Sequence, residues 1–121
     1  MSLLPSFQPI PHALIVGASG GIGAALAALL EADGAAVTRW SRSGGVDLTD
    51  PASIERAAAA LPAPPDLVII ATGVLHGQGL APEKANAQLS AEALGQAFAV
   101  NTIGPAMVAR TLLPLMPKGR K

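Results

Sequence analysis

The residues best placed to do chemistry in this chain form a glycine-rich run, Gly17-Ala18-Ser19-Gly20-Gly21-Ile22-Gly23. Before it, His12-Ala13-Leu14-Ile15-Val16 has the continuous apolar character of a strand buried on both faces. After it, Ile22, Leu26, Leu29 and Leu30 recur at helical spacing, and Gly34 ends that helix. A strand turning directly into a helix leaves the first helical N–H groups without partners, at the positive end of the helix dipole. Glycines let those groups approach a diphosphate with no Cβ in the way. The spacing is Gly-x-x-x-Gly-x-Gly, not the Gly-x-Gly-x-x-Gly of the more widespread fingerprint. A glycine triplet alone would fit a structural tight turn. With this strand and this helix beside it, the run predicts a dinucleotide site at Gly17, Ser19, Gly20, Gly21, Ile22 and Gly23.

A second candidate is Asn101. It shares a helical face with Leu94, Phe98 and Val108, so it is expected to point inward. A buried amide is costly unless hydrogen-bonded. Pro105, four residues on, has no N–H to give the Asn101 carbonyl, which predicts a kink and a free acceptor there. The other reading is a packing asparagine.

The elements that position these residues follow from pattern. Ala36-Val37-Thr38-Arg39-Trp40 reads as a second strand and Gly45-Val46-Asp47-Leu48 as a short third. Asp50 caps a helix that opens on Pro51 and turns Ile54, Ala57, Ala58 and Leu61 inward. Asp66-Leu67-Val68-Ile69-Ile70-Ala71 is the clearest buried strand. An irregular stretch over residues 72–89 leads to Ser90, which can cap a last helix reaching about Leu115. Strands alternating with helices predict a single α/β domain over residues 1–121, with residues 1–11 an irregular lead-in. Its parallel sheet carries helices on both faces.

Composition narrows the possibilities. The formal net charge is zero, so nothing global steers the chain toward nucleic acid or an anionic membrane, and neither is expected as a partner. Lys118, Arg120 and Lys121 form a solvated basic end. With no cysteine there are no disulfides, thiol nucleophiles or thiolate metal sites, and no metal site is expected. No apolar run approaches the roughly 18 residues a membrane helix needs. The start lacks a secretion signal's basic region, so a cytoplasmic location is the expectation.

The strand, turn and helix at residues 12–30 resemble the short-chain dehydrogenase/reductase family, and further segments keep that register through residue 116. The resemblance implies a Rossmann-like sheet of order 3-2-1-4, incomplete at one side, with NAD(P) held on the glycine turn. Ser41-Arg42-Ser43 falls where the adenosine ribose would lie. An acid there would suit a free 2′-hydroxyl, whereas a guanidinium and hydroxyls suit a 2′-phosphate. NADP(H) is therefore expected over NAD(H), with Ser41 and Arg42 as ligands and Arg39 a weaker candidate. A solvated loop arginine is the plainer alternative. Asp47-Leu48-Thr49-Asp50 resembles the family's adenine-binding motif, which makes Asp47 and the Leu48 backbone adenine ligands, unless both acids are caps. Ile70-Ala71-Thr72-Gly73 stands where the family carries Asn-Asn-Ala-Gly. Only backbone roles are expected for Ala71, Thr72 and Gly73. Leu75-His76 resembles a bacterial subgroup related to C-factor; His76 has no second metal ligand near it. Val100-Asn101-Thr102-Ile103-Gly104-Pro105 resembles the active-site helix, in which the asparagine holds a water of the proton relay.

The resemblance also implies hydride transfer between the nicotinamide and a carbonyl or alcohol carbon, which needs a general acid. The family uses a tyrosine, assisted by a lysine four residues on and by a serine. This sequence has no tyrosine at all. The expectation is a cofactor-binding part, truncated before the Ser, Tyr and Lys segment and inactive alone. The alternatives are a free-standing nucleotide-binding or interaction module and a nonfunctional remnant. The strand at residues 66–71 would then be an unprotected edge, and a homo-oligomer through it or through the Asn101 helix is expected.

Overall fold

The computed structural model describes residues 9–74 and 81–118. The start of the lead-in, the Leu75-His76 pair and the basic residues Arg120 and Lys121 lie outside them. Three strands, β1 (His12–Val16), β2 (Ala36–Trp40) and β3 (Leu67–Ile70), form one parallel sheet in the order β2-β1-β3. All five residues of the central β1 are buried. That is why a continuous apolar run occupies this position.

Alternation along β1 divides the core. Ala13 and Ile15 face helix α1 (Gly21–Ala32), where they meet Ala27 and Leu30. Leu14 and Val16 face the other side, with Trp40, Ile54 of α2 (Pro51–Ala59), and Val108 and Leu112 of a later helix, α4 (Gly104–Leu112). The result is the expected open Rossmann-like α/β arrangement. Asp50 caps α2 by accepting from the Ala52 N–H at 3.1 Å, and Pro51 opens it.

The predicted third strand at residues 45–48 does not form, so the sheet lacks the outer member of the 3-2-1-4 order. Local turns take its backbone groups: Gly45 N–H donates to Arg42 O, Val46 N–H to Ser41 O, and Asp47 N–H to Ser53 Oγ at 2.9 Å. Val46 and Leu48 still bury their side chains, which is the apolar alternation that reads as a strand.

Two helical faces also differ from the pattern. Ile22 and Leu29 are 74% and 54% exposed, while Gly23, Ala27 and Leu30 form the inner stripe of α1. The glycine contact at the head of the helix sets its rotation, and the i+4 and i+7 positions follow from Gly23. The last helical region is continuous but not uniformly α-helical. It runs as α3 (Ala91–Phe98), a π turn (Ala99–Ile103) and α4, then a 3₁₀ turn (Leu113–Leu115). Ser90 caps α3 as expected, accepting from Ala93 N–H at 3.1 Å. The π turn inserts an extra residue and rotates the following face. Val108 and Leu112 are therefore buried, whereas Leu94 and Phe98 are exposed.

At the amino end of the sheet, the buried His12 joins three segments. Its Nδ1 lies 2.9 Å from Ala63 O, and a carbonyl only accepts, so Nδ1 carries the proton. In the neutral ring, Nε2 then accepts from Thr38 Oγ1 at 2.7 Å, while the His12 backbone N–H donates to the Asp66 carboxylate at 2.9 Å. Among the described residues no helix is long and apolar enough to cross a membrane.

Candidate functional site

The carboxyl ends of the three strands open on a cleft of about 480 Å³, the crevice where open α/β sheets bind ligands. One wall is the glycine turn. Gly17 and Ala18 N–H both donate to Trp40 O, at 2.9 and 3.1 Å, which ties the turn to the end of β2. Gly17 has φ +89°, and a Cβ there would lie 2.9 Å from both Ala71 O and Thr72 Cγ2. A Cβ on Gly23 would lie 2.1 Å from Gly17 O. Gly21 differs: a Cβ there would meet nothing within 4 Å, so packing alone does not demand a glycine. Helix α1 starts with no side-chain cap and no acid in its first turn. Its leading N–H groups and dipole therefore open toward exposed Ser19, Gly20, Gly21 and Ile22.

The second wall is the 41–49 segment. Ser41 Oγ accepts from Gly44 N–H at 3.1 Å and lies 3.2 Å from Ser43 Oγ, shaping a tight loop beneath exposed Arg42. Asp47 accepts from Thr49 N–H at 2.9 Å and Thr49 Oγ1 at 2.7 Å. These two bonds, with the positive charge of Arg42 adding to them, hold its carboxyl below the ordinary value. Asp47 thus closes a turn of its own, and the cap of α2 is Asp50. Arg39 forms a two-pronged ion pair with Glu31 and does not line the cleft.

The third wall joins the end of β3 to the π turn. Asn101 is exposed, not buried as the helical pattern predicts, because the π turn rotates it off the inner stripe. Its side chain nevertheless has two partners: Oδ1 accepts from Val74 N–H at 2.7 Å, and Nδ2 donates to Val74 O at 2.8 Å. The amide is spent holding the chain that leaves β3. Gly104 N–H reaches back five residues to Ala99 O, and Pro105 has no N–H to offer Asn101 O. Beside this wall, Thr72 Oγ1 is buried with no hydrogen-bond partner among the described residues.

Of the residues expected from sequence, Gly17, Ser41, Arg42, Asp47, Leu48 and Thr72 line the cleft. Ser19, Gly20, Gly21, Ile22, Gly23, Ala71, Gly73 and Asn101 adjoin it without lining it. Sequence reasoning missed Trp40, Thr49, Val74, Gln96 and Val100. Trp40 carried a signal, as the last residue of a strand whose carboxyl end opens on the cleft. Gln96 and Val100 carried none, because their orientation depends on the π turn.

The geometry defines an α/β protein of the Rossmann-like class. A model of the NAD dependent epimerase/dehydratase family matches residues 13–112, and the chain belongs to that family. A small-chain dehydrogenase in complex with NADPH superposes with TM-score 0.78 at 24% identity, over 92% of this chain and 48% of that one. The NADPH-bound carbonyl reductase from chicken fatty liver gives 0.72 at 20%, over 90% and 49%. A Burkholderia multivorans protein assigned as a short-chain dehydrogenase/reductase, with bound NADP, gives 0.70 at 24%, over 90% and 55%. The fold is thus that of short-chain dehydrogenases/reductases, and the chain spans about half the length of these solved structures. Comparison with curated proteins gave no match.

Proposed function

We propose that this chain is the NADP(H)-binding part of a short-chain dehydrogenase/reductase-type oxidoreductase. The observation that carries the reading is a glycine turn that lines the cleft at the strand ends through Gly17 and leads into an uncapped helix head. Two features support the fit: Gly21 is a glycine although a Cβ there would meet nothing within 4 Å, and the Thr72 hydroxyl has no partner among the described residues. In this reading the N–H groups around Ser19, Gly20, Gly21, Ile22 and Gly23 take the diphosphate. Ser41 and Arg42 take the 2′-phosphate. Asp47 accepts from the adenine amino group and Leu48 N–H donates to the ring. The backbone at Ala71, Thr72 and Gly73 borders the nicotinamide-side ribose.

When bound, the dinucleotide supplies a hydride donor or acceptor. Carbonyl reduction also needs a proton donor, and with no tyrosine in its 121 residues this chain lacks the family's usual one. Asn101 serves by holding the chain after β3 and offering its carbonyl to a relay water. The chain alone therefore binds NADPH without turning over a carbonyl substrate. Leu94, Phe98 and Ile103, exposed by 39%, 57% and 55%, and the edge strand β3 favour self-association. The test combines NADPH titration with an absorbance assay for its oxidation over a panel of aldehydes and ketones. Binding without oxidation is expected. Oxidation by the pure chain would contradict the assignment of its chemistry.

A further inference from the structure

The end of β3 holds a side chain that neither the sheet nor the turn uses. Thr72 Oγ1 is buried and has no hydrogen-bond partner among the described residues, a costly condition for a hydroxyl. Its methyl is engaged: Cγ2 lies 2.9 Å from the place a Gly17 Cβ would take, so it fills the notch left by that glycine. A β-branched side chain anchored by one arm has little χ1 freedom to swing the other toward a new partner. Valine would keep the packing and remove the orphaned group. Thr72 also lines the cleft beside Gly17, the first residue of the glycine turn.

We propose that Thr72 Oγ1 is a side-chain ligand of the dinucleotide. It donates to an oxygen of the diphosphate or of the nicotinamide-side ribose, the stretch that passes Gly17. This rests on the dinucleotide reading above but adds a side-chain contact to a segment otherwise assigned only backbone roles. The hydroxyl burdens the ligand-free protein and is satisfied in the complex.

The distinguishing signature is a pair of opposite effects. Thr72→Val should melt, without ligand, at or above the wild-type temperature, by up to about 4 °C. It should also bind NADPH about tenfold more weakly, equivalent to roughly 1.4 kcal/mol. Thr72→Ser, which keeps the hydroxyl, should restore most of the affinity. Adenosine 2′-monophosphate, which lacks the diphosphate and second ribose, should bind wild type and Thr72→Val alike. Unchanged NADPH affinity in Thr72→Val would overturn the proposal, as would an equal loss with adenosine 2′-monophosphate. A lower ligand-free melting temperature with Val and Ser equally impaired would reduce Thr72 to packing. If wild type binds neither NADPH nor NADH, the dinucleotide reading itself fails, which these variants cannot mimic.

Discussion

The two main walls of the cleft are built from different materials. The glycine turn is backbone: its N–H groups, its carbonyl contacts and the space left by absent side chains define it. The 41–49 segment is side chain: Ser41, Arg42, Asp47 and Thr49 meet over a framework of local turns. Backbone walls fix the class of ligand by shape, and they tolerate little change because each atom also serves the fold. Side-chain walls set preference among related ligands, and they can change without disturbing the sheet.

The largest contrast should appear within the turn itself. Gly23→Ala places a Cβ 2.1 Å from Gly17 O, with no flexible neighbour to yield, and should destabilise the protein by about 3 kcal/mol or more. Thermal melting followed by circular dichroism reads this directly. Gly21→Ala meets no protein atom within 4 Å, so it should melt close to wild type yet bind NADPH at least about tenfold more weakly. Wild-type melting of Gly23→Ala would show that the turn is not over-determined. Wild-type binding by Gly21→Ala would show that its open side does not face the ligand.

A smaller effect is expected at the side-chain wall. Arg42→Asp should leave the fold intact and weaken NADPH by about tenfold or more, while changing NADH by less than about threefold. Equal losses for both would remove the 2′-phosphate from the account of this wall.

The smallest effect concerns Asp47. Its carboxyl is held below the ordinary value by the two Thr49 bonds and then by Arg42. A lowered folded-state value stabilises the protein above the unfolded value near 3.9, and that contribution disappears as pH falls through the folded value. Asp47→Asn should therefore melt slightly below wild type at pH 7, and the gap should close below about pH 4. A gap that is independent of pH would mean the carboxylate charge contributes nothing there.

The same division explains what was legible in the sequence. Strands β1 and β2 occur at their expected bounds because continuous apolar runs beside glycines have few other solutions. The caps at Asp50 and Ser90 were equally readable, being local hydrogen bonds. Errors arose where a distant or cooperative choice overrode the local pattern. Val46 and Leu48 alternate as a strand does, but Ser53, six residues after Asp47, captures the Asp47 N–H and holds a turn instead. Ile22 and Leu29 are apolar at helical spacing, but the Gly23–Gly17 contact rotates them outward. Asn101 was expected to be buried, and it is exposed. A 3.6-residue period cannot foresee a π turn, although Pro105 marked where backbone bonding would have to change. The glycine wall was therefore readable from residue types alone, whereas the third wall needed the three-dimensional path of the chain after β3.

The central claim is that this cleft binds a nicotinamide dinucleotide and prefers the phosphorylated form. Isothermal titration calorimetry of the 121-residue chain with NADPH and, separately, NADH tests it most directly. Saturable heat with both, and about tenfold tighter binding of NADPH, is the predicted result. Absence of saturable heat with either nucleotide, at protein concentrations where the chain is folded by circular dichroism, would contradict it.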